Sequence, residues 1–212
     1  SLSKLLSFIQ LFPKIGIVQT YGQTEASPRI TCLLPEYKIS KIGSVGKPIP
    51  NVEVRIISNS NETSGSNHVG EILVRSPGVM RGYYKDELAT NATVFEGWLH
   101  TGDLGYFDEE GFLYITGRKK NVIISGGVNI SAEEIESILL EHDNVREAYV
   151  YSKSDEYLVE VPCADIVVYD ETIDNNFQRF CSRRLGLLKV PKEFNLVKEI
   201  PKTYNGKIRR LK

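Results

Sequence analysis

Between Gly117 and Val122 the chain carries Arg118-Lys119-Lys120-Asn121, with no apolar side chain, and the hydrophobic pattern differs on its two sides. Upstream, VEVRII (52–57) and GEILVRS (70–76) alternate or run apolar with β-branched residues, as strands on a buried sheet do. The polar loop SNSNETSGSN (58–67) separates them. WLHTGDLGYFD (98–108) and GFLYITG (111–117) flank the turn residues DEEG, which predicts a hairpin. Downstream the texture becomes mixed. Ser131-Ala-Glu-Glu134 reads as a capping box, the Ser hydroxyl accepting from the N3 amide while Glu134 reaches back. The helix it opens carries Ile135, Ile138 and Leu139 on one face. Strands at EAYVYSK (147–153) and ADIVVY (164–169) lead to a second helix with Ile173, Phe177, Phe180, Cys181 and Leu185 inward, stopped by Gly186. The strand EFNLVKEI (193–200) precedes a polar tail. This pattern predicts an α+β chain in two parts, 1–118 and 119–212.

At the N-terminus, Leu2, Leu5, Leu6 and Ile9 recur at helical spacing and Pro13 closes the segment, so we expect an amphipathic helix rather than a signal peptide. GIVQT (16–20) then reads as a short buried strand entering the turn YGQTEASP. The chain has no initiator Met, which fits a start inside a larger protein.

Charge excludes one class of partner. Lys and Arg total 26 against 27 Asp and Glu; before Arg118 there are 10 basic and 12 acidic residues, and from Arg118 onward 16 and 15. Neither part is a basic body, so nucleic acid is not the expected partner. No apolar run approaches the roughly 20 residues that span a bilayer. Cys32, Cys163 and Cys181 are far apart, and His68, His100 and His142 do not cluster, so neither a disulfide framework nor a zinc site is expected. Reduced thiols in a cytoplasmic protein are the simplest reading.

Four segments carry residue types that invite chemistry. Tyr21-Gly22-Gln23-Thr24-Glu25 puts an aromatic face, a hydroxyl and a carboxylate within five residues, enough to stack a ring, donate to a phosphate oxygen and ligate Mg²⁺. In His100-Thr101-Gly102-Asp103 an ionised carboxylate can accept two hydroxyls together, which suits a ribose diol. Arg118 to Lys120, followed by Ser125-Gly126-Gly127-Val128-Asn129, offers fixed cations and a strip without side chains, the lining a thin ligand needs, but not a Walker loop. Lys207, after Gly206 on a tail we expect to be mobile, could carry its ammonium to developing negative charge. Taken singly, each also reads as an ordinary turn, loop or solvated end.

Taken in order, YGQTEAS, GWLHTGDLGYFDEEGFLYITGRKKNVIISGGVNISAEEIE and PKTYNGKIRR resemble the later motifs of the adenylate-forming superfamily: acyl- and aryl-CoA ligases, peptide-synthetase adenylation domains and firefly-type luciferases. The resemblance runs from about residue 11 to the end and is densest over 97–136, where it is closest to fatty- or aryl-acyl-CoA ligases.

The resemblance implies the β-rich, distorted-barrel end of a large AMP-binding domain followed by a small mobile α+β domain. It implies a reaction in which a carboxylic acid and ATP give acyl-AMP, from which the CoA thiol displaces AMP. By the same resemblance Tyr21, Gly22, Thr24, Asp103 and Arg118 bind the nucleotide, with Tyr21 stacking on adenine, Thr24 contacting the α-phosphate and Asp103 holding the ribose. Glu25 helps hold Mg²⁺, Lys120 is the hinge, Gly126 and Gly127 line the CoA channel, and Lys207 serves adenylation. Two departures follow. The superfamily's Ser/Thr/Gly-rich phosphate loop lies upstream of position 1, so the chain alone is expected to be inactive in adenylation. The stretch 151–170 is shorter than its counterpart, which bears on the CoA-nucleotide surface. Transfer to a carrier protein instead of CoA, a non-catalytic remnant of the fold, and assembly as a homodimer stay open.

Overall fold

The computed structural model describes residues 2–58, 65–173 and 175–210. The chain is α+β, mostly sheet, and packs as two units, one over Leu2–Lys119 and one from Lys120 onward. Residues 59–64 of the predicted polar loop lie outside the described residues.

The first unit opens with α1 (Leu2–Leu11). Among its described side chains Ile9 is buried, while Leu6 is exposed. Strands β1 (Gln19–Gln23), β2 (Ser27–Leu33) and β3 (Lys47–Pro48) form an antiparallel three-stranded sheet in that order. The strand expected at 16–20 therefore starts later and takes in the first residues of the predicted turn. Val18 is half exposed, and the residue that β1 buries is Tyr21. A bulge between Tyr21 and Gln23 brings Gly22 so close to β2 that a Cβ there would stand 2.4 Å from the Ser27 carbonyl oxygen.

The second sheet is built on β7 (Trp98–Phe107). Strand β5 (Gly70–Arg75) lies along it, with β4 (Glu53–Ile57) beyond. Two strands pair with further parts of β7, first β6 (Val94–Phe95), which follows the short helix α2 (Glu87–Thr93), then β8 (Leu113–Arg118). The Asp108 carboxylate accepts from the Glu110 and Phe112 amides at 3.0 and 2.9 Å, closing the hairpin as a side-chain-capped turn. Ile30, Val45, Ile56, Ile72, Val74, Leu99 and Leu113 form one core with Tyr21 and Ala26, so both sheets of this unit share it.

In the second unit β9 (Val122–Ser125) and β10 (Val128–Ser131) are joined by Gly126-Gly127, whose φ values of 55° and 80° suit a two-residue hairpin turn. β10 runs into α3 (Ala132–Leu139), where Ser131 Oγ accepts from the Glu134 amide at 3.2 Å. The second half of the predicted capping box is replaced: the Glu134 carboxylate takes Lys189 Nζ at 2.7 and 2.8 Å. A long hairpin, β11 (Val145–Asp155) and β12 (Val159–Val168), is extended by β13 (Glu193–Leu196), parallel to β12.

Alternation along β11 sends Ala148 and Val150 into a core with Ile135, Leu139, Phe177 and Cys181, and Tyr149 into a smaller cluster with Val167 and Ile200. α4 (Phe177–Ser182) is shorter than expected. It buries Phe177 and Cys181, but Ile173 lies outside it and is exposed. Its C-cap is Arg183, while Gly186 opens the next turn in an extended conformation (φ −65°, ψ 154°) that any residue can adopt, and is not a glycine stop.

Candidate nucleotide-contact residues and Lys207

Asp103 and Arg118 face each other across the β7–β8 ladder. Arg118 Nε donates to Asp103 Oδ1 at 2.7 Å, and the Tyr21 hydroxyl donates to Oδ2 at 2.7 Å. Asp103 is 5% exposed and Tyr21 8%. The carboxylate is therefore a charge held out of water, fixed on one side by a guanidinium that is itself half exposed. Burial, and then the Asp103 carboxylate, hold the Tyr21 proton well above the usual phenol range, so Tyr21 is a donor at every physiological pH. Behind Asp103, its amide donates to Thr101 Oγ1 at 3.1 Å, and the Thr101 hydroxyl donates to the Ile72 carbonyl at 2.7 Å. The local backbone is thus fixed on β5. Gly102, at φ 70°, allows the turn of chain that aims Asp103 inward.

Thr24 and Glu25 lie on the turn joining β1 to β2; Thr24 is exposed and Glu25 half-buried. The Tyr83 hydroxyl donates to Glu25 Oε1 at 3.0 Å, and the Met80 amide donates to the Glu25 carbonyl at 2.7 Å. Tyr83 was not singled out from the sequence; only its place in Gly82-Tyr83-Tyr84 hinted that an aromatic hydroxyl was available there. Among the described residues no three His, Cys, Asp or Glu gather as a metal site. Glu25 is the one carboxylate on this turn, and a single carboxylate can hold a Mg²⁺ ion that completes its shell with phosphate oxygens and water.

Lys120 is exposed in a single 3-10 turn, Lys119–Asn121. Just before it, Lys119 Nζ lies 2.9 Å from Glu71 Oε2, an oxygen that is also 3.6 Å from His100 Nδ1. In the second unit a Cβ at Gly127 would meet no atom within 4 Å, while one at Gly126 would come 3.1 Å from Leu158 Cδ2. The Gly127 side of the turn is open.

Lys207 is exposed, and the tail that carries it is folded, not loose. Lys202 and Ile208 form an antiparallel bridge, and the Thr203 amide donates to the Lys207 carbonyl at 2.8 Å. The structure thus gathers Tyr21, Asp103 and Arg118 into one cluster in the first unit, with Thr24 and Glu25 on the turn that follows Tyr21. Gly126-Gly127 and Lys207 occupy two separate hairpins of the second unit.

Comparison with known proteins gives two family matches, the AMP-binding enzyme model over residues 3–84 and the AMP-binding enzyme C-terminal domain over residues 134–207. The chain is 42% identical over 199 residues to a 2-succinylbenzoate–CoA ligase of Bacillus licheniformis, covering 94% of this chain and 41% of that one. It is 44% identical to the enzyme of the same name from Bacillus cytotoxicus, over 92% of this chain and 40% of that one. Among solved structures, the o-succinylbenzoate CoA synthetase of Bacillus subtilis in complex with the acyl-adenylate intermediate aligns with a TM-score of 0.92 at 37% identity, covering 98% of this chain and 42% of that one. An amide bond synthetase from Marinactinospora thermotolerans aligns at 0.87 and 35%, covering 98% and 43%. The chain spans about two-fifths of the length of the relatives it matches.

Proposed function

The chain belongs to the adenylate-forming superfamily of AMP-binding enzymes, and from that premise we propose that it is the C-terminal part of an AMP-forming acyl-CoA ligase. The observation that carries the reading is Asp103. It is a nearly buried carboxylate held by a phenol and a guanidinium, with lone pairs left to accept the two hydroxyls of a ribose.

In the proposed first half-reaction an acid carboxylate oxygen attacks the α-phosphorus of ATP, forming the acyl–phosphate bond as the bond to pyrophosphate breaks. Asp103 would fix the ribose and the Tyr21 ring would lie against the base, its orientation set by the bond to Asp103. Thr24 would donate to the α-phosphate, and Lys207 would bring a positive charge to the oxygens on which negative charge grows. Mg²⁺, when bound, would neutralise phosphate charge, and Glu25 is the residue suited to hold it. In the second half-reaction the CoA sulfur attacks the acyl carbon and AMP leaves. Gly126 and Gly127 would border the thiol's channel, and a change in backbone conformation at Lys120 would exchange the Lys207 and glycine faces.

The names of the relatives make 2-succinylbenzoate the first acid to try. The test is ATP–pyrophosphate exchange by the protein that carries this chain downstream of a complete phosphate loop, with 2-succinylbenzoate, fatty acids and benzoates in turn, followed by CoA addition. Acid-dependent exchange and a CoA thioester are expected. No exchange with any acid sinks the enzyme reading, and exchange without thioester formation redirects it to a carrier protein or an amine as acceptor.

A further inference from the structure

The hairpin bearing Lys207 is fixed by the residues that follow it. Ile208 packs on the Tyr149, Val167 and Ile200 cluster, and the Arg209 amide donates to the Pro201 carbonyl at 2.8 Å. Three residues beyond Lys207, Arg210 Nη2 reaches Glu136 Oε2 on α3 at 2.7 Å, with Glu133 Oε1 at 3.3 Å. Arg210 Nη1 donates to the Val150 carbonyl at 3.3 Å, and the guanidinium lies 5.6 Å from the centre of the Tyr149 ring. Glu136 is 8% exposed, and its other oxygen accepts from the Val150 amide at 2.9 Å. One carboxylate thus ties helix α3, strand β11 and the tail together.

A buried ion pair is a poor way to add stability, because taking both charges out of water costs about as much as their attraction returns. Burial pushes the Glu136 carboxyl up, so desolvation outweighs the arginine here. What a guanidinium that donates to a fixed carboxylate with one arm and to a strand carbonyl with the other does supply is geometry: it permits one register of the tail and excludes slipped ones.

We propose that Glu136 and Arg210 are positioning residues for Lys207, their ion pair setting the register in which the hairpin presents the Lys207 ammonium. This rests on the reading of Lys207 as the adenylation lysine. Neither Glu136 nor Arg210 is asked to touch the substrate. Their effect comes from placement, where an error of about 1 Å costs on the order of 10²-fold in rate.

The experiment uses the full-length protein and measures the two half-reactions separately, pyrophosphate exchange and thioester formation from supplied acyl-AMP. Glu136→Gln, which keeps an acceptor for the Val150 amide, and Arg210→Met should each slow exchange by about 10- to 100-fold. Thioester formation should stay within about twofold of wild type, and Arg210→Lys should recover part of the loss. In a Lys207→Ala background, Glu136→Gln should have no further effect on exchange, because the group it positions is gone. Unchanged exchange in Glu136→Gln, an equal fall in both half-reactions, or a further fall in the Lys207→Ala background would each overturn the proposal. If Lys207→Ala itself leaves exchange intact, the adenylation role of Lys207 fails and this inference fails with it. If Lys207→Ala abolishes exchange while Glu136→Gln does nothing, only this inference fails.

Discussion

The Tyr21 hydroxyl and the Asp103 carboxylate meet at 2.7 Å across 82 positions of sequence, and this bond ties the three-stranded sheet of the first unit to the β7–β8 hairpin. Because both partners are nearly buried, the bond serves the fold as well as the proposed nucleotide contact.

Tyr21→Phe keeps the ring but leaves Asp103 Oδ2 without its donor, and we expect a loss of about 1–3 kcal/mol in the first unit. Asp103→Ala should cost at least as much, since it strips both Tyr21 and Arg118 of their acceptor. Trp98, the single tryptophan, lies on β7, so urea unfolding followed by its fluorescence reports on this unit. A midpoint unchanged in Tyr21→Phe would show that the bond adds nothing.

The two half-reactions should separate by residue in the full-length protein. Lys207→Ala should lower pyrophosphate exchange by about 10²–10³ while leaving thioester formation from acyl-AMP largely intact. Gly127→Leu should do the reverse, filling the open side of the β9–β10 turn. It should also cost about 1–2 kcal/mol, because φ at this position is 80° and a Cβ is disfavoured there. Equal effects of either change on both steps would remove the assignment of separate faces.

The Glu136 carboxyl titrates above its ordinary 4.5 in the fold, chiefly because of burial. A raised folded value means that the folded state holds the proton more tightly. The contribution is therefore fully present below the unfolded value and is lost as pH rises through the folded one. Thermal melts from about pH 4 to about pH 7 should show Glu136→Gln gaining on wild type as the pH rises. A constant difference across that range would mean that Glu136 titrates alike in both states.

Thiol reagents should distinguish the cysteines. Cys163 and Cys181 are fully buried, and burial pushes the Cys181 thiol up to about 11, so very little of it is thiolate near neutral pH. Cys32 is half-buried and should be modified first in the native protein, with all three reacting in denaturant. Prompt modification of Cys181 without denaturant would contradict its place in the α3–α4 core.

The expected inactivity of the 212-residue chain in adenylation is checked by pyrophosphate release with ATP and 2-succinylbenzoate, where we expect none above background. Release by the purified chain would mean that phosphate contacts exist within these residues.

What the sequence determined by itself was whatever depends on a few neighbouring residues. Strand and helix patterning, the Asp108 turn, the Ser131 cap and the paired glycines at 126–127 are local, because backbone geometry and side-chain period are set within a turn or two. The motif residues Tyr21, Glu25, Asp103, Arg118 and Lys207 were legible as types in order, without their partners. The tertiary structure alone decided that Tyr21 sits inside a strand with its hydroxyl on Asp103, that Tyr83 reaches Glu25, and that Ile173 stays outside the core. It also turned the expected loose tail into a hairpin anchored by Arg210 on Glu136, 74 residues away. The physical reason is desolvation. A charge or hydroxyl reads the same in sequence whether wet or buried, and only the packed fold sets which of them leave water and must find a partner.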